Sequence, residues 1–529
     1  MPGIITKRFR IDNAKQFYDS ISAATKKLYI FIGRVTPYAD EAAPTTPTDT
    51  IQNTHFDGYR DMIAMKRVQS SDMSQVIPKY SWANNTAYTQ YTDTSTSLFP
   101  TSTSLYSNTT FYVLTDADNV YKCIYNNRGG RSTIKPTGTS TSIITTADKY
   151  RWKFLYNVSG ADKTKFFSTS YIPVKTLTAN NGSAQWSVQT AASNGAIHNI
   201  LITANGTGYL TTSNTFSSIS NSTTMVLKNN ANTTDDMYTR STLYLSTGLG
   251  AGQLRRIVNY VGATRTVTVN TAFTQSPNTS TGYIVGPNVI IKGDSGATSA
   301  LRALAYVSNA AYGQIRSITM INEGLHYSTA NVSISANSSY GSGCVATPII
   351  SPKGGHGKDP VQELGAVNVM LSVRVTGAES NTFPTNNDFR MIGIVSNPLL
   401  RGGPSANASV IDQCSRITVT TLSGDLTSDE IITGGTSGAK SRFVQFANTN
   451  NARTAGIVRV IRVTTNGTGG TYTVGETITG SVSGKTATIA SFTKPAVREF
   501  TGNIIYTENR TSIARAPEQL EDIKMVVKF

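Results

Sequence analysis

The stretch "GETITGSVSGKTATI", Gly475 to Ile489, sets Gly-Lys-Thr behind a glycine-spaced turn, the residue types that cradle a nucleotide phosphate. That chemistry needs four residues between its glycines, but Gly480 and Gly484 enclose only three, and position 479 is Thr479. It also needs a helix whose first N–H groups face the phosphate, and "TATIASF" is β-branched and strand-like. In sister stretches the Lys485 position is filled by Ala297, Ala439 and Cys344, so nucleotide binding is set aside.

The four histidines, His55, His198, His326 and His356, show no metal-ligand spacing. His198 and His326 are expected at the surface or in turns. His356, between glycines in "GGHGKDP", is the most suggestive, as a structural turn before a catalytic base. The neighbouring carboxylates Asp116/Asp118, Asp235/Asp236, Asp429/Glu430 and Glu518/Glu521/Asp522 point to opposite faces if they lie on strands, and each is expected in a solvated turn. No nucleophile elbow or cysteine–histidine pair stands out. Trp82, Trp152 and Trp186 read as core or interface anchors, with sugar stacking as the other use of such rings. No catalytic, cofactor or metal residue is assigned.

The elements that would position these residues are strands. The chain has 529 residues, of which 15% are charged and 38% hydrophobic, and Thr, Ser, Asn and Gly fill its connections. Its length suggests about three or four packed units of about 100 to 200 residues. The formal net charge of +16 is spread singly, which argues against a nucleic-acid partner and for acidic protein surfaces. Cys123, Cys344 and Cys414 are too few and too far apart for a disulfide framework. No leader and no bilayer-length apolar run is visible, so no membrane partner is expected, and synthesis is placed in a cytoplasm.

"IDNAKQFYDSI" places Ala14, Phe17, Tyr18 and Ile21 on one helical face with Asp12 as N-cap, and "KLYIFIGRVTPY" reads as a strand buried on both faces. From about 180 two layouts recur. In the first, counted from Gly195, Gly313 and Gly456, apolar residues fall in register at Ile197/Ile315/Val458, Ile200/Ile318/Ile461 and Ile202/Met320/Val463. Gly206/Gly324/Gly467 and Tyr209/Tyr327/Tyr472 follow. Each copy reads as strand, glycine turn and returning strand. The second layout centres on Ser295-Gly296-Ala297, Ser437-Gly438-Ala439, Ser483-Gly484-Lys485 and Ser342-Gly343-Cys344 and reads as a hairpin turn. The expected division is 1–110, an N-terminal α+β framework; 111–179, a β module; 180–355, an inserted repeat block; 356–412, framework strands; 413–497, a second repeat block; and 498–529, a closing framework segment.

Read in order, "TKRFRIDNAKQFYDSI", "IFIGRVTPY", "SQVIPKYSW", "VYKCIYN", "YRWKFLY", "FRMIGIVSNPL" and "IYTENRTSIARAPEQLEDIKMVVKF" resemble the baseplate wedge protein of T4-like contractile-tailed phages, the product of their gene eight. Trp82, Trp152, Arg390, Asn397, Pro398, Tyr506, Glu508, Asn509 and Arg510 stand in those segments as structural motif candidates. The resemblance implies a homodimer in the virion tail baseplate that contacts other wedge subunits and helps transmit the rearrangement triggering sheath contraction. It carries no catalytic residue and no cofactor. The expected fold is mainly β and multi-domain α+β, with a small N-terminal α+β unit, β-barrel- or sandwich-like domains and inserted β-hairpin repeats. Two rival classes remain: a receptor- or glycan-binding tail protein that uses the repeats, and a polysaccharide-degrading enzyme, which would need an acidic cleft.

Overall fold

The computed structural model describes residues 5–529 apart from 24, 95–97, 99–109, 295–302, 336–340 and 464–470. It is mainly β, as the composition implies, and divides into two compact units. The first comprises 1–77, 160–173 and 366–529, and the second 78–159 and 174–365.

In the first unit, an antiparallel sheet has the strand order Val410–Asp412, Met62–Arg67, Leu28–Gly33, Asn387–Ser396, Asn503–Arg515. Leu28–Gly33 is central and all six of its residues are buried, the expected outcome for a run apolar on both faces. A four-stranded sheet, Leu520–Lys528, Asn368–Thr376, Met73–Pro78 and Tyr171–Pro173, shares its core. The first helix spans Lys7–Ser22 and buries Ile11, Ala14 and Ile21. Its N-cap is Thr6, not Asp12: the Thr6 hydroxyl accepts from Phe9 N at 3.2 Å, and Asp12 lies a turn and a half inside, 3.8 Å from Arg8.

Residues 415–493 close into a six-stranded antiparallel barrel. Its strands are Ser415–Thr420, Ile431–Gly434, Lys440–Asn448, Gly456–Arg462, Thr477–Gly480 and Thr486–Thr493, and around the barrel they run first, fourth, third, second, fifth, sixth. Ile417, Val419, Ile432, Val458, Val460, Ile478 and Ile489 fill it.

In the second unit, Tyr112–Leu114, Asn119–Tyr125, Arg151–Asn157 and Ile144–Thr145 form a sheet around Tyr121, Trp152 and Phe154. Beyond it, Ile197–Thr207, Asn288–Gly293, Leu304–Ala311, Gln314–Asn322, Ala330–Ser335 and Ser342–Ile350 repeat the barrel order: the second, third, fourth and fifth make one sheet, the first pairs with the sixth, and all six share one core. A seven-stranded sheet with its own core, residues 212–286, is spliced between the first and second strands.

The first repeat layout is not a hairpin. Gln314–Asn322 pairs with the strand before it, and Ala330–Ser335, after the glycine, pairs with Asn288–Gly293 instead. The glycine lets the chain leave its sheet neighbour and brings the following tyrosine inside. At Gly206 (φ 65°) an added Cβ would sit 2.5 Å from the Tyr209 ring. Tyr209, Tyr327 and Tyr472 are buried, and their hydroxyls meet Cys344 N (3.4 Å), Ala303 N (3.0 Å) and Ile432 O (2.9 Å). The second layout is a hairpin turn at Ser437-Gly438-Ala439 and Ser483-Gly484-Lys485. Ser342-Gly343-Cys344 instead starts a strand, and Ser295-Gly296-Ala297 and Gly467 lie outside the described residues.

Candidate functional site

The Gly-Lys-Thr stretch is a hairpin with a structural anchor. Gly480 N donates to Lys485 O at 2.9 Å, so the backbone that a phosphate would use is taken by the turn itself, and Lys485 is exposed. The anchor is Glu430, whose carboxylate accepts from Val482 N and Ser483 N, both at 2.9 Å, and from the Ser483 hydroxyl at 2.8 Å. Forty-six residues later Glu476 does the same for the other hairpin, accepting from Thr436 N and Ser437 N at 2.8 Å and the Ser437 hydroxyl at 2.7 Å. Each half of the barrel thus holds the turn of the other. Gly434 and Gly480 make room, since a Cβ at Gly480 would lie 2.5 Å from a Glu430 oxygen. Burial works to raise both carboxyl pKa values, but the converging N–H and hydroxyl donors outweigh it and hold them below the ordinary value. Glu430, expected in a solvated turn, is 2% exposed, because four donors, Thr427 N at 2.7 Å among them, replace its water.

A second polar cluster surrounds His356. Lys122, on the strand Asn119–Tyr125 and fully buried, lies 3.0 Å from both His356 Nδ1 and Glu363 Oε2, with its ammonium 3.8 Å from the Tyr91 ring centre. Burial, then the neighbouring cations Lys122 and Lys153, press the His356 pKa well down; burial also lowers that of Lys122, against the pull of Glu363. The cluster has no exposure through which a substrate could reach it: His356, Lys122 and Glu363 are all within 4% of full burial. It ties the turn 352–359 to the strand below. His198, expected at the surface, is 8% exposed on Ile197–Thr207, 5.2 Å from the His356 ring. Glu521, also expected in solvent, is tucked against fully buried Arg515 at 3.0 Å.

The motif candidates fall in separate places. Trp152 is fully buried, stacked on Tyr150 with Tyr88 at its edge, while half-buried Trp82 donates to Ser132 Oγ at 3.2 Å. Arg390, 5% exposed, spends its guanidinium on Glu41 Oε1 (2.7 Å), Val35 O (2.6 Å) and Asp388 Oδ2 (2.7 Å). Asn397 (φ 50°) ends its strand by bonding Lys27 through both backbone and side chain, each at 2.8 Å, and Pro398 O accepts from Ala406 N. Tyr506, Glu508, Asn509 and Arg510 lie on Asn503–Arg515 at the edge of its sheet. Tyr506 donates to Glu508 at 2.7 Å, Glu508 meets Arg510 at 3.5 Å, and Asn509 holds Thr45 O at 2.8 Å. Burial and the Glu508 carboxylate push the Tyr506 hydroxyl up to about 12. Among the described residues no cluster of three or more His, Cys, Asp or Glu could hold a metal, and no helix is long and apolar enough to cross a membrane.

Residues 3–127, which hold the first helix, the strands Leu28–Gly33 and Met62–Arg67, Trp82 and Lys122, match a family described as Bacteriophage T4, Gp8. The match supports the identification of the chain as a Gp8-type baseplate wedge component. Four of the seven segments that carry the resemblance lie inside the matched stretch and three beyond it. The same match supports a structural place in the virion tail baseplate. No curated protein matches the chain.

Proposed function

We propose that the chain is a dimeric linker of the baseplate wedge that holds neighbouring subunits together and passes on the rearrangement triggering sheath contraction, with no catalytic step. The match of residues 3–127 to the Gp8 family carries this reading. In it, blocks 180–355 and 413–497 are insertions into a framework, and the action is mechanical: sheets and barrels are rigid bodies whose contacts exchange between two packed states.

The edge strand Asn503–Arg515 is the surface we assign to the dimer. It exposes Ile505 and Tyr506, 50% and 40% accessible. Antiparallel pairing about a two-fold through Asn509 would set Glu508 of one copy opposite Arg510 of the other. Sedimentation equilibrium tests it. The wild-type chain is expected to dimerise, Glu508→Arg to dissociate it, and Glu508→Arg with Arg510→Glu to restore it. A wild-type monomer at every concentration would end the dimer reading. Cryo-EM of extended and contracted tails tests the linker role, and finding the chain in the capsid or as a free trimeric fibre would end it.

A further inference from the structure

In the closed barrel the first and fourth strands pair continuously, Ser415 through Val419 against Val460 through Gly456. Their counterparts in the second unit, Ile197–Thr207 and Gln314–Asn322, meet only at their ends, through Ile197 N to Glu323 O (2.8 Å) and Tyr209 N to Gly313 O (2.9 Å). No ladder joins them among the described residues. Between them opens a cleft of about 940 Å³ walled by Asn199–Ile202 and Arg316–Ile321, at the upper end of the range for ligand sites.

Three observations define what the cleft would take. First, arginine side chains stand where a strand's N–H groups would: Arg128 donates to Arg316 O (3.1 Å) and Asn205 Oδ1 (2.8 Å), bridging the two walls, and Arg151 donates to His198 O (2.8 Å). Second, Gln90 Nε2 and Asn199 Nδ2 line the cleft without a hydrogen-bond partner, on side chains 7% and 6% exposed. Buried amide donors are almost always satisfied, so these two call for an acceptor from outside. Third, the cleft lining holds three arginines, Arg128, Arg151 and Arg316, against one carboxylate, Glu323, which is itself held 2.7 Å from His198.

We propose that this cleft accepts an extended, acidic segment of a neighbouring chain, seated as an added strand between Ile197–Thr207 and Gln314–Asn322. Its main chain supplies both the donors and the acceptors that two strand edges need, which a phosphate or a sugar acid does not, and its carboxylates meet the arginines. Ile200, Ile202, Ile318 and Met320 offer apolar contact along the walls. This names one docking surface of the wedge linker and so rests on that reading.

The test uses assembled phage tails carrying the photo-crosslinking residue p-benzoylphenylalanine in place of Leu201 in one preparation and of Ile505 in another. Irradiation at the Leu201 probe is expected to join the chain to one segment of net negative charge, identified by mass spectrometry. Arg128→Glu with Arg316→Glu is expected to cut the yield about tenfold or more, and the milder Arg316→Gln to cut it less. No product, a neutral or basic segment, or a yield indifferent to these charges would overturn the proposal. So would a uronic-acid oligosaccharide that binds the full chain, depends on the same arginines and leaves no peptide product. The Ile505 probe reports the dimer edge separately, so loss of one signal leaves the other to be judged.

Discussion

The two six-stranded assemblies share a strand order and differ in how they are fastened. In 415–493 the second strand follows the first after a short loop, and Glu430 and Glu476 lock opposite turns from inside. In 197–350 the sheet 212–286 is spliced between those strands, and no buried glutamate takes either place: Val289 and Ser328 stand in register with Glu430 and Glu476. There the polarity is reversed. Asp294, in the turn itself, accepts from Ser328 N (2.8 Å), Thr329 N (3.0 Å) and the Ser328 hydroxyl, and those bonds draw its pKa down to about 2 while it stays exposed. One carboxylate pair thus grips turns across a closed barrel, whereas Asp294 joins only the second strand of its assembly to the entry of the fifth.

The sharpest way to test this kinship is at the residue both assemblies keep. Tyr327→Ala and Tyr472→Ala, each just after the fourth strand of its assembly, empty a buried ring site, and each is expected to cost about 3–5 kcal/mol, read by urea unfolding of the full chain with hydrogen exchange resolving the two regions. A large loss in one region alone would break the equivalence. Next is the difference: Glu430→Ala leaves three N–H groups and a hydroxyl without their acceptor and is expected to cost the closed barrel about 2–3 kcal/mol, whereas Asp294→Ala, where water replaces the carboxylate, should shift the other region far less.

Acid should separate the two as well. Glu430 and Glu476 have folded pKa values below their ordinary 4.5, so their contribution is full above that value and is lost as pH falls through the depressed folded values. Exchange protection in 415–493 is therefore expected to fall with acid in wild type and to become less pH-dependent in Glu430→Gln. A flat wild-type profile between pH 5 and pH 2 would remove the clasp from the argument. The smallest effect is at Lys485→Ala, expected within about 0.5 kcal/mol of wild type, with no change in response to added nucleotide. A nucleotide-dependent shift in stability that Lys485→Ala abolishes would reopen the phosphate-loop reading.

Much of this was legible in residue order. Leu28–Gly33 announces a central strand because both faces are apolar, and the Gly-x-x-Tyr spacing marks a packed ring because the glycine's missing Cβ is where Tyr209 lies. The hairpins at Ser437 and Ser483 follow from their turn glycines. What stayed hidden were partners far apart in sequence. Glu430 looks like half of a solvated Asp-Glu pair until Ser483 is brought beside it, although Thr-x-x-Glu preceding both Ile-Thr-Gly turns was a signal that could have found it. His198 and Glu521 were misplaced for the same reason: burial of a polar side chain depends on a donor or acceptor that local sequence does not contain.

By itself, then, the sequence determined the strands, the turns, the register of the repeated Gly and Tyr positions and the kinship with the Gp8 family, because these rest on side-chain periodicity, on the conformational freedom of glycine and on motifs read in order. The tertiary structure alone decided that the first repeat layout is part of a six-stranded assembly and not a hairpin. It also decided that one barrel is clasped shut and the other divided into a four-stranded sheet and a two-stranded pair, because strand partners and carboxylate contacts are chosen by packing across tens of residues, where local pattern carries no information.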